Sequence, residues 1–299
     1  VTGRAALVAL ALGSGCRGAP PAPSQRAEGH TDASTAPDTR AAPDVTHTVR
    51  SGRCGPWEAL GRGVSVRRCD RDGPNAAALL AGWAVRSPAA RAWADALDDA
   101  RLRALGVSTL YAVDGPAEVD FRGKELDVDG LLRALDASTR AGGRALVVAH
   151  SSGAHVAATM FHRAFVVGAA AGLRGRVVYV DLDGDAGVRG DPERDLHAGS
   201  VGGLRRALFV ATAVPALRLE GFSRAAMLAG ARAFPERGSL WTYDATGSGC
   251  RVNACAHLAL VDARPTARGN ESYARSTRET VNTAWLARVE PWLTGEGVP

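Results

Sequence analysis

The chain has 299 residues, 46% hydrophobic and 22% charged, with 36 Lys+Arg against 31 Asp+Glu and a formal net charge of +5. This is an ordinary soluble globular balance, with ample length for one large core. The positive excess does not indicate a nucleic-acid partner: the basic residues are scattered arginines, Lys124 being the single lysine, rather than a clustered basic face.

Residues 1–16 form a segment of their own. Arg4 precedes an apolar run over residues 5–12, and Gly13-Ser14-Gly15-Cys16 follows, which gives a charged n-region, a short h-region and a small-residue cleavage site. The segment resembles a bacterial lipoprotein signal whose Cys16 becomes the lipidated first residue, with Gly13 where such signals usually carry leucine. The resemblance implies an exported bacterial protein, periplasmic, outer-membrane-anchored or extracellular, that meets a membrane only through a lipid on Cys16. The run itself is far shorter than the about 20 apolar residues needed to cross a bilayer. Residues 17–48 are dominated by Ala, Pro, Gly, Ser, Thr and Asp, cannot bury enough surface to offset ordering, and are expected to be a flexible tether. One domain is then expected over residues 49–299.

Cys16 apart, the cysteines are Cys54, Cys69, Cys250 and Cys255. An even number in an exported chain suggests two disulfides, most simply Cys54 with Cys69 and Cys250 with Cys255. A zinc site lacks the short spacing and accompanying histidines it would need.

Within the domain, residues 63–66 suggest an edge strand. Ser87-Pro88 signals a helix start, with Trp93, Leu97, Ala100 and Ala104 on one face and Gly106 at the stop. Strands are expected at 107–113, 144–150, 177–182, 207–213 and 239–243. Helices are expected at 128–139, after Gly153, at 223–233 and at 272–293, the last distorted near Pro291. Strands alternating with helices predict an α/β fold with a mostly parallel central sheet flanked by helices.

The stretch 144–160, RALVVAHSSGAHVAATM, organises this pattern. A buried strand runs into a helix with Ser151 at the corner. That is the geometry of a nucleophile elbow, G-x-S-x-G, with Ala149 replacing the first glycine and Gly153 keeping the second. In a parallel sheet, functional groups collect at the carboxyl ends of strands. Two later ends carry the complementary residues: Asp181, Asp183 and Asp185 after the next strand, and His257 after the last. A serine hydroxyl needs a base, here His257, and the imidazolium formed needs a carboxylate. Asp183 is the expected acid and Asp185 the alternative, with Asp244 and Glu220 behind them. The backbone N–H of Ser152 and that of Asp114 or Gly115 are the expected oxyanion donors, Gly115 being the choice carried forward.

The order serine, aspartate, histidine and three short segments resemble the pancreatic-type lipases of the α/β-hydrolase superfamily. These are VVAHSSGAH around Ser151, Leu182-Asp183-Gly184, where that family has proline in place of Gly184, and Ala254-Cys255-Ala256-His257-Leu258. The resemblance implies an α/β-hydrolase fold and the triad Ser151, Asp183 and His257; no counterpart of the lipases' second β-sandwich domain is visible. The expected activity is hydrolysis of small carboxylic esters through an acyl-serine. Alternatives are peptide or amide hydrolysis on the same scaffold, and an inactive exported binding module. The segment 185–203 is charged and glycine-rich rather than an apolar lid, which favours a soluble or short-chain ester. Asp181, Asp183 and Asp185 have the alternate spacing of a calcium loop, but the sixth position lacks glycine and the twelfth is Pro192, so neither metal nor other cofactor is expected. His150 and His155, beside the elbow, are expected to pack or to bond backbone.

Overall fold

Strands that lie parallel in mid-sheet are covered on both faces, so they read as unbroken apolar runs rather than alternating ones. The computed structural model describes residues 53–83, 85–97, 99–117, 124–139, 142–184, 196, 198–220, 224–246, 253–261 and 284–295. All belong to a compact unit spanning Thr48–Pro299. In chain order the elements are β1 (Glu58–Gly61), β2 (Val64–Arg68), β3 (Asn75–Leu80), α1 (Ser87–Asp95), α2 (Asp99–Ala104), β4 (Val107–Val113), α3 (Val128–Thr139), β5 (Ala145–His150) and α4 (Gly153–Phe161). There follow β6 (Val177–Leu182), α5 (Ala198–Val201), β7 (Arg206–Val214), β8 (Leu219–Glu220), α6 (Arg224–Ala233), β9 (Gly238–Asp244), α7 (Asn253–Ala259) and α8 (Ala284–Thr294).

The strands make one sheet in the order β1-β2-β4-β3-β5-β6-β7, with β9 beside β7. β4, β3, β5, β6, β7 and β9 run parallel, and the β1–β2 hairpin is antiparallel at one edge. This strand order, with helical crossovers between parallel strands, is that of the α/β-hydrolase fold. β3, β5 and β6 are buried along their whole length. On one face Leu131 and Leu135 of α3, Val156 and Phe161 of α4 and Met227 of α6 pack on Tyr179 and Phe209. On the other, Trp93 of α1, Leu102 of α2 and Trp285 and Val289 of α8 pack on Leu146, Val180 and Leu208.

Several expectations change. β2 is not the edge strand, since β1 pairs outside it. The helix expected from Ser87 to Ala104 is two helices, broken between Asp95 and Asp99. Ser87 is its first residue rather than its cap: Arg86 is the N-cap, and the Ser87 hydroxyl donates to the Asp114 carboxylate at 2.8 Å. β3, with the sequence Asn-Ala-Ala-Ala-Leu-Leu, was not among the expected strands. The Cys54–Cys69 disulfide is present and bridges the chain just before β1 to the end of β2. The signal-like segment with Cys16, the tether, the Cys250–Cys255 pairing, Asp185 and residues 272–283 of the expected last helix lie outside the described residues. Among the described residues no helix is long and apolar enough to cross a membrane.

The amino ends of β3, β4 and β5 are tied by one buried side chain. Asn75 donates from Nδ2 to the Leu105 carbonyl at 2.6 Å and accepts the Arg144 N–H on Oδ1 at 2.7 Å. Asn75→Ala strands both backbone groups away from water and should lower unfolding free energy by about 2–4 kcal/mol. The check is urea denaturation, expected to show a lower midpoint with unchanged m-value.

Candidate active site

The chain leaves β3 towards β4 on one side and leaves β5 towards β6 on the other, although β3 and β5 are hydrogen-bonded neighbours. This is a topological switch point, outside whose carboxyl strand ends open α/β sheets bind ligands. β5 ends at His150, and Ser151 follows in the left-handed region with φ 54°. A non-glycine residue there costs about 1–2 kcal/mol, and its neighbours hold it. The Ser151 N–H donates to the Leu182 carbonyl at 3.2 Å, and its carbonyl accepts the Ala154 N–H at 3.0 Å in the first turn of α4. Gly153 is required by close approach: a Cβ there would lie 2.3 Å from the Leu80 carbonyl oxygen. Ala149, two residues before the serine, is fully buried between Leu80 and Asp181 and accommodates its methyl group. Ser151 is half-buried and Ser152 is buried.

Asp183 is the second non-glycine residue with positive φ, at 49°, immediately after β6. Strand alternation would put Asp181 and Asp183 on the same side, and this turn separates them. Asp181 stays in register and accepts a 2.9 Å bond from the Tyr179 hydroxyl. Asp183 instead swings its carboxylate to Thr212 of β7, whose hydroxyl donates to Oδ2 at 3.1 Å. The same Oδ2 lies 2.7 Å from His257 Nδ1, and Asp183 is fully buried. A carboxylate acceptor places the proton on Nδ1 and leaves Nε2 as the basic lone pair. Gly184, which stands where the lipases have proline, is needed for packing: a Cβ there would come 2.0 Å from Asp181 Oδ1 and 2.6 Å from the Ala154 methyl. Asp244, the weaker acid candidate, is exposed beyond this cluster, and its carboxylate accepts from Thr246, which holds it below the usual carboxylate range. The Glu220 side chain lies outside the described residues.

His257 sits on a helix rather than in a loop. α7 docks through Ala256 and Ala259 on Val214 at the end of β7 and on Ala245 after β9. The His257 ring packs against that of His150, with centroids 4.4 Å apart and planes tilted by 34°. His150 Nε2 meets the His257 carbonyl oxygen at 3.0 Å. Burial first, and then the nearby His257 ring, hold the His150 imidazole well below its ordinary 6.5, against the opposing pull of that hydrogen bond. The aspartate-to-histidine leg of the expected serine–histidine–aspartate relay is thus assembled. Among the described residues Ser151 Oγ makes no hydrogen bond, so the hydroxyl-to-imidazole leg is the one left to form; such bonds are often long before substrate binds.

The Gly115 assignment is corrected. Its N–H already donates to the Val85 carbonyl at 2.8 Å, so it fastens the loop after β3 and does not face the serine. That loop is what lies against the elbow: a Cβ on Gly82 would be 3.1 Å from Ser151 Cβ and 3.3 Å from His150 Nδ1. The loop is clamped further by the Ser87–Asp114 bond and by the Val85 N–H donating to the Gly82 carbonyl at 3.1 Å. The loop of Gly82, rather than Gly115, is therefore what lies beside Ser151, with Ser152 at the start of α4. Sequence reasoning, which named Ser152, looked to the loop after β4 for the second donor because it missed β3. The available signal was seven residues without a charge between Pro74 and Gly82, bounded like a buried strand.

No family model and no curated protein matches this chain. Among solved structures it is similar to an esterase of Pyrobaculum calidifontis, with 14% identity, TM-score 0.44, and coverage of 80% of this chain and 83% of that one. It is likewise similar to a fungal esterase of Rhizomucor miehei, with 12% identity, TM-score 0.48 and 78% of each chain covered. A third is esterase B of Lactobacillus rhamnosis, with 11% identity, TM-score 0.47, and 83% of this chain and 88% of that one covered.

Two stability effects follow from the site. Glycine relieves the left-handed strain at position 151 and alanine does not, so Ser151→Gly should exceed Ser151→Ala in stability by about 1 kcal/mol, as read from urea midpoints. The folded-state pKa of His150 is depressed, so below about pH 6.5 the unfolded chain binds a proton that the folded chain refuses, and stability should fall as pH falls. His150→Gln should flatten that slope, as measured by urea midpoints between about pH 7 and 5.

Proposed function

We propose that the protein is an exported serine hydrolase that cleaves carboxylic esters of small, soluble or short-chain type. The observation that carries this reading is the buried 2.7 Å bond between Asp183 and His257 Nδ1; it is supported by the packing of His257 on His150, the residue before Ser151, and by the left-handed backbone of Ser151, which matches a nucleophile elbow.

The proposed reaction uses each group once. His257 Nε2 takes the Ser151 proton as Oγ attacks the ester carbonyl, and the new imidazolium is held by the buried Asp183 carboxylate. The negative oxygen of the tetrahedral intermediate faces the Ser152 N–H and the N–H of Gly82 or Trp83, where the positive end of α4 adds to the stabilisation. The imidazolium returns its proton to the leaving alcohol oxygen as that C–O bond breaks, which leaves Ser151 acylated. Water, deprotonated by His257, then releases the acid and regenerates the hydroxyl. Small soluble esters fit the charged, glycine-rich segment 185–203 better than aggregated fat does. Export is supported by the Cys54–Cys69 disulfide, since structural disulfides persist in oxidising compartments. Lipidation at Cys16 belongs to the same proposal and is tested by radiolabelled fatty-acid incorporation into wild type against Cys16→Ala.

Ser151→Ala and His257→Ala should each lower kcat/KM for p-nitrophenyl acetate by about 10³-fold or more. Asp183→Asn should lower it by about 10³ to 10⁴-fold. A fluorophosphonate probe should label wild type at Ser151, mapped by mass spectrometry. Unimpaired turnover by Ser151→Ala or His257→Ala would remove the serine hydrolase reading.

A further inference from the structure

We infer that His150 is a positioning residue that sets the catalytic imidazole: its Nε2–H grips the main chain of His257 while its ring backs the His257 ring. The inference rests on His257 acting as the base for Ser151.

The carbonyl of His257 can only accept, so the 3.0 Å contact requires the proton of His150 to reside on Nε2. This fixes the tautomer and leaves Nδ1 as a lone pair turned towards Gly82, whose Cβ position lies 3.3 Å away. The groups around the His150 ring are the His257 ring at 4.4 Å, the edge of Trp93 of α1 at 6.4 Å and the Gly82 backbone. His150 is buried, and none of these neighbours is an acid.

The grip matters because α7 is only seven residues long and docks by small side chains. Nothing in such a contact dictates the rotation of the helix about its own axis to the accuracy that the Asp183 bond demands. A hydrogen bond from β5 to the backbone of the catalytic residue itself supplies that rotation. It links the strand carrying the nucleophile to the element carrying the base through one side chain, adjacent in sequence to Ser151. Ring packing adds a second restraint: the imidazolium formed on His257 lies against a neutral π-system rather than a second cation, an attractive arrangement.

The test separates the hydrogen bond from the ring. His150→Phe keeps an aromatic ring and removes the donor; His150→Gln keeps a donor at the position of Nε2. The first readout is the low-field proton resonance of His257 Nδ1–H, assigned by its disappearance in His257→Ala. The second is kcat and KM for p-nitrophenyl acetate. His150→Phe should lose or shift upfield the resonance and lower kcat about 10- to 100-fold, with KM changed less than about twofold, and His150→Gln should restore both towards wild type. A His150→Phe protein with the wild-type resonance overturns the inference, as does a His150→Gln protein no better than His150→Phe. If His150→Phe fails to fold, His150→Asn takes its place, since its amide nitrogen stops short of the carbonyl and the same two outcomes decide. The resonance reads the hold on His257 without turnover, so a hydrolase reading lost through an active Ser151→Ala remains distinguishable from failure of this inference.

Discussion

Two adjacent strands leave the sheet through left-handed residues that are not glycine, Ser151 after β5 and Asp183 after β6, and the site exists because both do. Continuing as ordinary strands, β5 and β6 would present these side chains by simple alternation, into the helices on either face. The left-handed step lifts each side chain out of the pleat at the sheet's carboxyl edge. It also costs about 1–2 kcal/mol at each position, so something must hold it. The last rungs of the ladder do so: Ser151 N–H reaches the Leu182 carbonyl and Asp183 N–H the Val210 carbonyl at 2.8 Å. The strained residue of each strand is thus fastened to the next strand in the sheet, and β6 is both the anchor of one step and the origin of the other.

These crossings explain where bulk is refused. Gly153 lets α4 start against the Leu80 carbonyl, and Gly184 passes between Asp181 and the first turn of α4. The departure at Gly184 from the lipase pattern, where proline is usual, follows from this chain's Asp181, a buried carboxylate whose oxygen occupies the space a Cβ would need. The departure at Ala149 is tolerated because the position lies within the sheet rather than at the turn. A single motif read along the sequence mixes these two situations, and only the packing separates them.

Much of this was legible from the chain. β4, α3 and β6 fall at the residues their periodicity indicates, because each is bounded by glycine, proline or a capping residue and buried continuously or on one stripe. The triad residues were legible for a related reason: strand ends are where α/β folds place chemistry, and Ser151, Asp183 and His257 sit at or just beyond three such ends. β3 was not legible, since Ala-Ala-Ala-Leu-Leu has weak strand preference and is held extended by pairing with β4 and β5 on both sides. That miss carried the second oxyanion candidate with it, to Gly115 after β4 instead of the loop after β3. Ser87 misled in the same manner, because a hydroxyl that looks like a cap is committed to Asp114 after β4.

The energetic cost of the site is concentrated in Asp183, a carboxylate with no exposure to solvent. Burying such a charge alone would be prohibitive; Thr212 and His257 are among the partners that hold it. The pairing with His257 changes sign of importance during the proposed reaction. While the imidazole is neutral it supplies a single N–H to the carboxylate. Once it carries the serine's proton, the same 2.7 Å contact becomes an ion pair in a low-dielectric setting, where Coulomb attraction is strongest. In the proposed reaction the attraction between the carboxylate and His257 therefore grows as charge develops on the ring. That difference between resting and charged states, rather than the strength of either, is what lowers a barrier. It also accounts for the neutral ring of His150 beside it, since a second cation there would cancel the attraction that Asp183 is placed to provide.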